Sequence, residues 1–211
     1  VRGCAGSFGM NVFSIISEAH KLFSLEQAFT LLNAEGMLME FGVSEGKTMR
    51  KFQDMTKRTI YGFDWFKGLP EDWGNYFSKG AFDDEHIPEF KENVSLHIGV
   101  FEDVLPFFLA SHLDSVAFAH LDADLYSSTK FVLDQLKDRF VKGSILVFDE
   151  IKYREPIHDS ERRLVFNDVV EKSAAHEHEC RAFQEFLDVT GQEWEYLGEQ
   201  HSDGGIFKRV A

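Results

Sequence analysis

Apolar residues along the chain fall into short solid runs separated by stretches spaced at three and four, a pattern that predicts strands and helices in turn. Val12, Ile15, Ile16, Ala19 and Phe23, then Leu25, Ala28, Phe29 and Leu32, predict two helices within 11–33 that cover one face of a sheet, with Ser24 as the N-cap between them. Gly36–Phe41 is the first strand, a helix is expected from about Gly46 to Lys57, and Thr59–Asp64 is the second strand. Val94–Val100 is the third, followed by a helix over Glu102–Ser111 that buries Val104, Leu105, Phe108 and Leu109. Val116–Leu121 is apolar nearly throughout, as a parallel strand covered on both faces must be. A helix capped by Ser127 or Ser128 is expected to run to Phe140 and close at Gly143, and Ser144–Phe148 is the fifth strand. Further helices are expected over Ser160–Ser173 and about Glu177–Thr190, the latter stopped by Gly191. Trp194–Leu197 and Gly205–Val210 lie close enough in sequence for an antiparallel hairpin at a sheet edge.

Such alternation predicts an α/β fold, a doubly wound and mostly parallel sheet with an antiparallel edge hairpin at the C-terminus. The 211 residues suffice for one domain, 1–211, whose core is buried without disulfides. Residues 65–92 form a long connection rich in aromatic rings, either a lid or ligand wall, or a surface excursion whose rings pack on the body.

A net charge of −14 and a pI near 5.0, with no cluster of Lys and Arg, argue against a nucleic-acid partner. No apolar run is long enough to span a membrane and no signal-peptide pattern is present, so the expectation is no membrane association and a cytoplasmic protein. Cys4 and Cys180 are too few and too far apart for a disulfide scaffold or zinc site and are expected to be reduced thiols. The chain begins at Val1, which suggests a trimmed or partial start.

The stretch from Met37 to Thr48 carries the first chemistry. A phosphate loop of the Walker type needs four residues between its glycines, and Gly42 and Gly46 enclose three. The dinucleotide fingerprint needs a glycine where Ser44 stands. What remains, an acidic-x-Gly-x-x-x-Gly led by Glu40, suits a ligand whose charged end is an amino acid. Glu40 would attract its ammonium, and the helix start at Lys47 and Thr48 its carboxylate. A tight strand-to-helix turn with no ligand is the alternative. Asp64 lies eighteen residues beyond Gly46, close to where an acid meets a ribose in nucleotide-binding units, or else it is a turn former. Strands four and five end in Asp122-Ala-Asp124 and Asp149-Glu150, at the edge where an open α/β sheet builds its site.

Glu40–Gly46, Tyr61–Pro70, His120–Thr129 and Val147–Glu150 together resemble the class I S-adenosylmethionine-dependent methyltransferases, more narrowly the macrocin O-methyltransferase type that acts on sugars of natural products. Catechol O-methyltransferase is a more distant likeness. The resemblance implies a Rossmann-like methyltransferase fold with a cofactor-binding core at 36–150, N-terminal helices in 1–35, and a substrate-side segment with the hairpin in 151–211. It assigns Glu40, Gly42, Ser44, Gly46 and Thr48 to the methionine end of S-adenosylmethionine, Asp64 with Trp65 beside it to the ribose, and Phe101 and Glu102 to the adenine.

It also implies a divalent cation, Mg²⁺ by preference, on Asp122, Asp149 and Glu150. Three carboxylates at one spot repel unless a cation sits between them, and hard oxygen donors suit magnesium or calcium. Alternatively Asp149 and Glu150 cap the next element and Asp122 lines the cofactor pocket. The catechol enzyme's lysine base falls on Leu125 here, which leaves Asp124, His158 or His178 for proton removal, with Asp122 beside them; His178, between two glutamates, equally suits a helix start. Rings at Trp65, Phe66, Trp73, Tyr76 and Phe77 suit a flat or sugar-bearing acceptor. The expected function is methyl transfer to a hydroxyl oxygen of a small hydroxylated molecule, a sugar or a phenol, with Mg²⁺ assistance and a homodimer as a family-level expectation. The alternatives are metal-independent O- or N-methyl transfer and a non-catalytic cofactor-binding module.

Overall fold

The structure, a computed structural model, describes residues 24–75, 77–83, 86–151, 157–158, 164–165, 174–200 and 204–211. Five helices and nine strands follow in chain order among them. These are α1 (Leu25–Thr30), β1 (Met37–Phe41), α2 (Lys47–Met55), β2 (Ile60–Asp64), β3 (Val94–Ile98), α3 (Phe101–Ser111) and β4 (Val116–Leu121). Then come α4 (Tyr126–Leu136), β5 (Phe140–Phe148), β6 (Ile157–His158), β7 (Leu164–Val165), α5 (Ala174–Thr190), β8 (Trp194–Gln200) and β9 (Gly204–Arg209).

Seven strands form one sheet in the order β3-β2-β1-β4-β5-β9-β8. The first five run parallel, and β9 pairs antiparallel with both β5 and β8, as the expected hairpin does. Because the first strand lies in the middle of the sheet and the chain winds outward in both directions, the loops that follow β1 and β4 lead to helices on opposite faces and leave a crevice between them.

Side chains alternate across each strand, and both faces are covered, which is why β1 and β4 are buried at every position. On one face Met39, Phe41 and Leu121 pack with Leu105 and Phe108 of α3, Leu133 of α4, and Phe183 and Phe186 of α5. On the other, Leu38, Phe118 and Val147 meet α1 and α2 through Phe29, Met49 and Phe52. Phe29 and Phe52 stack at 4.8 Å and both abut Phe118 edge-on. Ser24 caps α1 as expected, its hydroxyl accepting the Gln27 N–H at 3.1 Å while Gln27 Oε1 accepts the Ser24 N–H.

Three expectations need correction or fall elsewhere. The helix after β4 starts at Tyr126, with Leu125 as N-cap and neither Ser127 nor Ser128 capping it, and it ends at Leu136. Gly143 (φ 93°) lies inside β5, which already begins at Phe140. The cause is a register shift between Val116 and Phe118 against β5. Ser144 closes it by donating to Val116 O at 2.6 Å and accepting the Val141 N–H at 2.8 Å. Leu164–Val165 pairs antiparallel with Ile157–His158 where a helix over 160–173 was expected. A short apolar run does not distinguish the two periods. The rest of that helix, and residues 11–23 of the N-terminal pair, lie outside the described residues.

Gly191 (φ 64°) stops α5 as expected, its N–H returning to Leu187 O at 2.9 Å. Cys180 is a free thiol, buried and pushed up to about 12 by desolvation and then by Glu179. Among the described residues no helix is long and apolar enough to cross a membrane.

Candidate active site

At the end of β1 the backbone turns at Gly42 (φ 88°), where an added Cβ would stand 1.8 Å from Asp122 O. The approach is that close because the Asp122 N–H donates to Phe41 O at 2.8 Å and holds the β1 and β4 ends together. Gly46 (φ 74°) precedes α2 and has a different reason: its Cβ would meet the Phe90 ring at 2.4 Å. Between them, the Val43 and Ser44 N–H groups both donate to Asp64 Oδ2 at 2.8 Å, and the Phe66 N–H donates to Asp64 Oδ1 at 2.7 Å. Asp64 therefore ties the loop after β1 to the loop after β2.

These loops, with those after β3 and β4, wall a cleft of about 300 Å³. Of the residues singled out in the sequence, Gly42, Ser44, Asp64, Trp65, Phe101, Glu102, Asp122 and Asp124 line it. Glu40, Gly46, Thr48, Asp149, Glu150 and His178 do not. Phe66, Leu69 and Phe82 supply apolar wall from the 65–83 excursion. That excursion is closed on itself by Leu69 N–H to Ala81 O at 2.8 Å and Gly80 N–H to Leu69 O at 2.9 Å. It is seated on Leu125, which is wholly buried against Leu69 and Trp73. Leu125, standing where a lysine base was weighed, is thus a packing residue. Phe77 is exposed, Trp73 is buried away from the cleft, and Tyr76 lies outside the described residues.

Glu40 sits below the cleft, not on its wall. It is 1 % exposed, in register with His120 of β4, and its Oε1 is 3.0 Å from His120 Nδ1. Strand pairing across eighty residues put that pair together, so nothing local in the sequence announced it; the visible signal was one histidine in an otherwise apolar strand. A ring nitrogen of His120 and oxygens of Asp122 and Asp149 all lie within 4.8 Å of one another.

Glu150 stands outside that group, and its N–H donates to Glu179 Oε2 at 2.9 Å. Glu179 is a fully buried carboxyl held well above its usual range by desolvation. It was missed by sequence reasoning, although its place four residues before Phe183 on the inward face of α5 was a legible sign.

Desolvation, then the Asp149 charge, pushes Asp122 up to about 8; its surface is partly open, but protein hems it in on most sides. The same two causes push Asp124 up to about 6. For His120, burial works against the charged form, yet the hydrogen bond and charge of Glu40 leave it above its ordinary value. Glu40 is raised by burial, against the opposing pull of His120. Carboxylates crowded this way are what a cation relieves, and the two aspartates with the adjacent imidazole fit one.

Asp124 is held at φ 57°, a left-handed backbone that turns the chain from β4 toward α4. His178 is turned elsewhere, its Nδ1 accepting the Tyr126 N–H at 2.9 Å at the start of α4. The side chain of His158 lies outside the described residues.

A family profile described as a methyltransferase domain matches residues 39–151, more than half of the 211. Among curated proteins none matches. The solved structure of CalS11, a calicheamicin methyltransferase also described as a TDP-rhamnose 3'-O-methyltransferase, is 21 % identical, with a TM-score of 0.65 over 87 % of this chain and 76 % of that one. The O-methyltransferase NovP is 20 % identical, with a TM-score of 0.58 over 92 % and 84 %. An O-methyltransferase from Bacillus cereus, solved with SAH, is 14 % identical, with a TM-score of 0.50 over 92 % and 84 %. The chain belongs to the methyltransferase-domain family, and its sheet, read with these neighbours, has the Rossmann-like fold of the class I S-adenosylmethionine-dependent methyltransferases.

Proposed function

We propose that the protein transfers a methyl group from S-adenosylmethionine to a hydroxyl oxygen of a small molecule, a sugar or phenolic hydroxyl of a natural product, aided by a divalent cation at Asp122 and Asp149. The observation that carries this reading is one cleft at the carboxyl ends of β1, β2 and β4, with Asp124 on its wall and the crowded Asp122–Asp149 pair beside it. S-adenosylmethionine supplies an activated methyl group, and a divalent cation supplies Lewis acidity at the acceptor.

The chain's own residues then bind, orient and deprotonate. Gly42 and Ser44 line the cleft where the methionine end would lie, and Phe101 and Glu102, on the same cleft, would flank the adenine. Asp64 already accepts three N–H groups, which leaves about one of its four lone-pair sites for a ribose hydroxyl. Trp65, Phe66, Leu69 and Phe82 form an apolar side of the cleft against which the acceptor can pack. Asp124 takes the hydroxyl proton on its carboxylate, which burial holds above its ordinary range and so makes a stronger base. A cytoplasmic setting belongs to the same reading, supported by the acidic composition and sparse cysteines.

The test is turnover with a panel of sugar and phenol acceptors, alongside calorimetry with S-adenosylhomocysteine. Asp124→Asn should lower kcat about 100-fold or more, the usual contribution of a positioned base, with S-adenosylhomocysteine affinity changed less than about threefold. An unchanged kcat removes Asp124 as the base. Absence of S-adenosylhomocysteine binding to the wild-type protein removes the functional reading altogether.

A further inference from the structure

Glu40 and His120 are neighbours on β1 and β4, each 1 % exposed. Nδ1 faces Glu40 Oε1 at 3.0 Å, and an ionised Glu40 can only accept there, which puts the proton of a neutral ring on Nδ1 and a lone pair at Nε2. That Nε2 is buried and has no hydrogen-bond partner among the described residues. A buried ring nitrogen left unpaired is unfavourable unless something from outside the chain completes it.

The side chain belongs to the same cluster as Asp122 and Asp149, with one of its ring nitrogens within 4.8 Å of a carboxylate oxygen of each. Donors around an ion with bonds near 2.1 Å stand roughly 3–4 Å apart, so the three need close by no more than about 2 Å. A carboxylate behind a histidine, fixing its tautomer and strengthening it as a donor, is how proteins back metal-ligating imidazoles.

We propose that His120 Nε2 is a cation ligand beside Asp122 and Asp149, with Glu40 orienting the imidazole from behind, and that the site takes a divalent transition ion such as Mn²⁺ in preference to Mg²⁺. The proposal rests on the cation-assisted reading above and changes its donor set: an imidazole joins the two aspartates in place of Glu150, which is not in the cluster. A nitrogen donor disfavours Mg²⁺, which prefers oxygen, and is accepted by Mn²⁺ and by the ions after it in the first transition row.

The probes are Mn²⁺ and Mg²⁺ alone, titrated by calorimetry into the full chain saturated with S-adenosylhomocysteine, with pulsed electron paramagnetic resonance on the Mn²⁺ form. Expected are Mn²⁺ affinity at least about tenfold above that of Mg²⁺ and a ¹⁴N coupling from one imidazole. His120→Gln should abolish the coupling and weaken Mn²⁺ about 10- to 100-fold. Wild-type protein grown with ¹⁵N-histidine should show the coupling shift to ¹⁵N, which keeps the test independent of how well the variant folds.

Mn²⁺ bound without nitrogen coupling, or with coupling that survives His120→Gln, overturns the donor set and leaves the functional reading standing. If neither ion binds at millimolar concentration, the cation-assisted reading falls with it.

Discussion

Gly42 and Gly191 share a left-handed backbone, at φ 88° and 64°, but around Gly191 an added Cβ would find nothing within 4 Å, whereas at Gly42 it would meet the Asp122 carbonyl. Gly191→Ala should therefore cost only about 1–2 kcal/mol, the penalty of the backbone conformation itself. Gly42→Ala should cost clearly more, because the β1 and β4 ends must part, and it should abolish S-adenosylhomocysteine binding. Urea denaturation of the two variants decides this, and equal losses would mean that the close approach relaxes freely. The glycine pair was legible in the sequence, but not its cause. Spacing suggested a backbone bared for a ligand, while Gly42 makes room for another strand and Gly46 for the Phe90 ring. Glu40 was likewise noticed for its charge, yet the strand that buries it against His120 lies eighty residues away.

At the scale of elements, legibility followed burial. β1 and β4 are buried on both faces and apolar except for Glu40 and His120, and β4 was placed to the residue. The carboxylates that end β4 and β5 follow from the strands' positions. The passage from α4 into β5 was misread, because Phe140 and Val141 continue the helix's apolar spacing and the register shift that makes them strand is a property of the partner. Ser144 holds this junction through two hydrogen bonds, one buried and one partly buried. Ser144→Ala should destabilise the protein by about 1–3 kcal/mol, since Val116 O and the Val141 N–H are left without their partner. Thermal unfolding measures it, and a loss below about 0.5 kcal/mol would show that water replaces the hydroxyl.

Across the whole molecule, the terminal hairpin is structural. Trp194, Tyr196, Ile206 and Phe207 are buried, and Phe207 meets Phe148 and Phe183 across the sheet. A chain ended at Gly191 would make β5, which delivers Asp149, an exposed edge. Such a truncation should lose cooperative unfolding in calorimetry; a sharp transition would show that five parallel strands suffice. The order of the sheet was legible only as a class, because sequence alternation implies parallel strands without saying which pair lies at the centre.

Asp64 draws Val43, Ser44 and Phe66 onto one carboxylate through the chain's own backbone. Conformational freedom in the two segments it joins is thus surrendered when the chain folds, and association has little left to freeze. Encounter with a nucleoside should then proceed as simple docking, with a single fast phase in stopped flow and no slow rearrangement behind it.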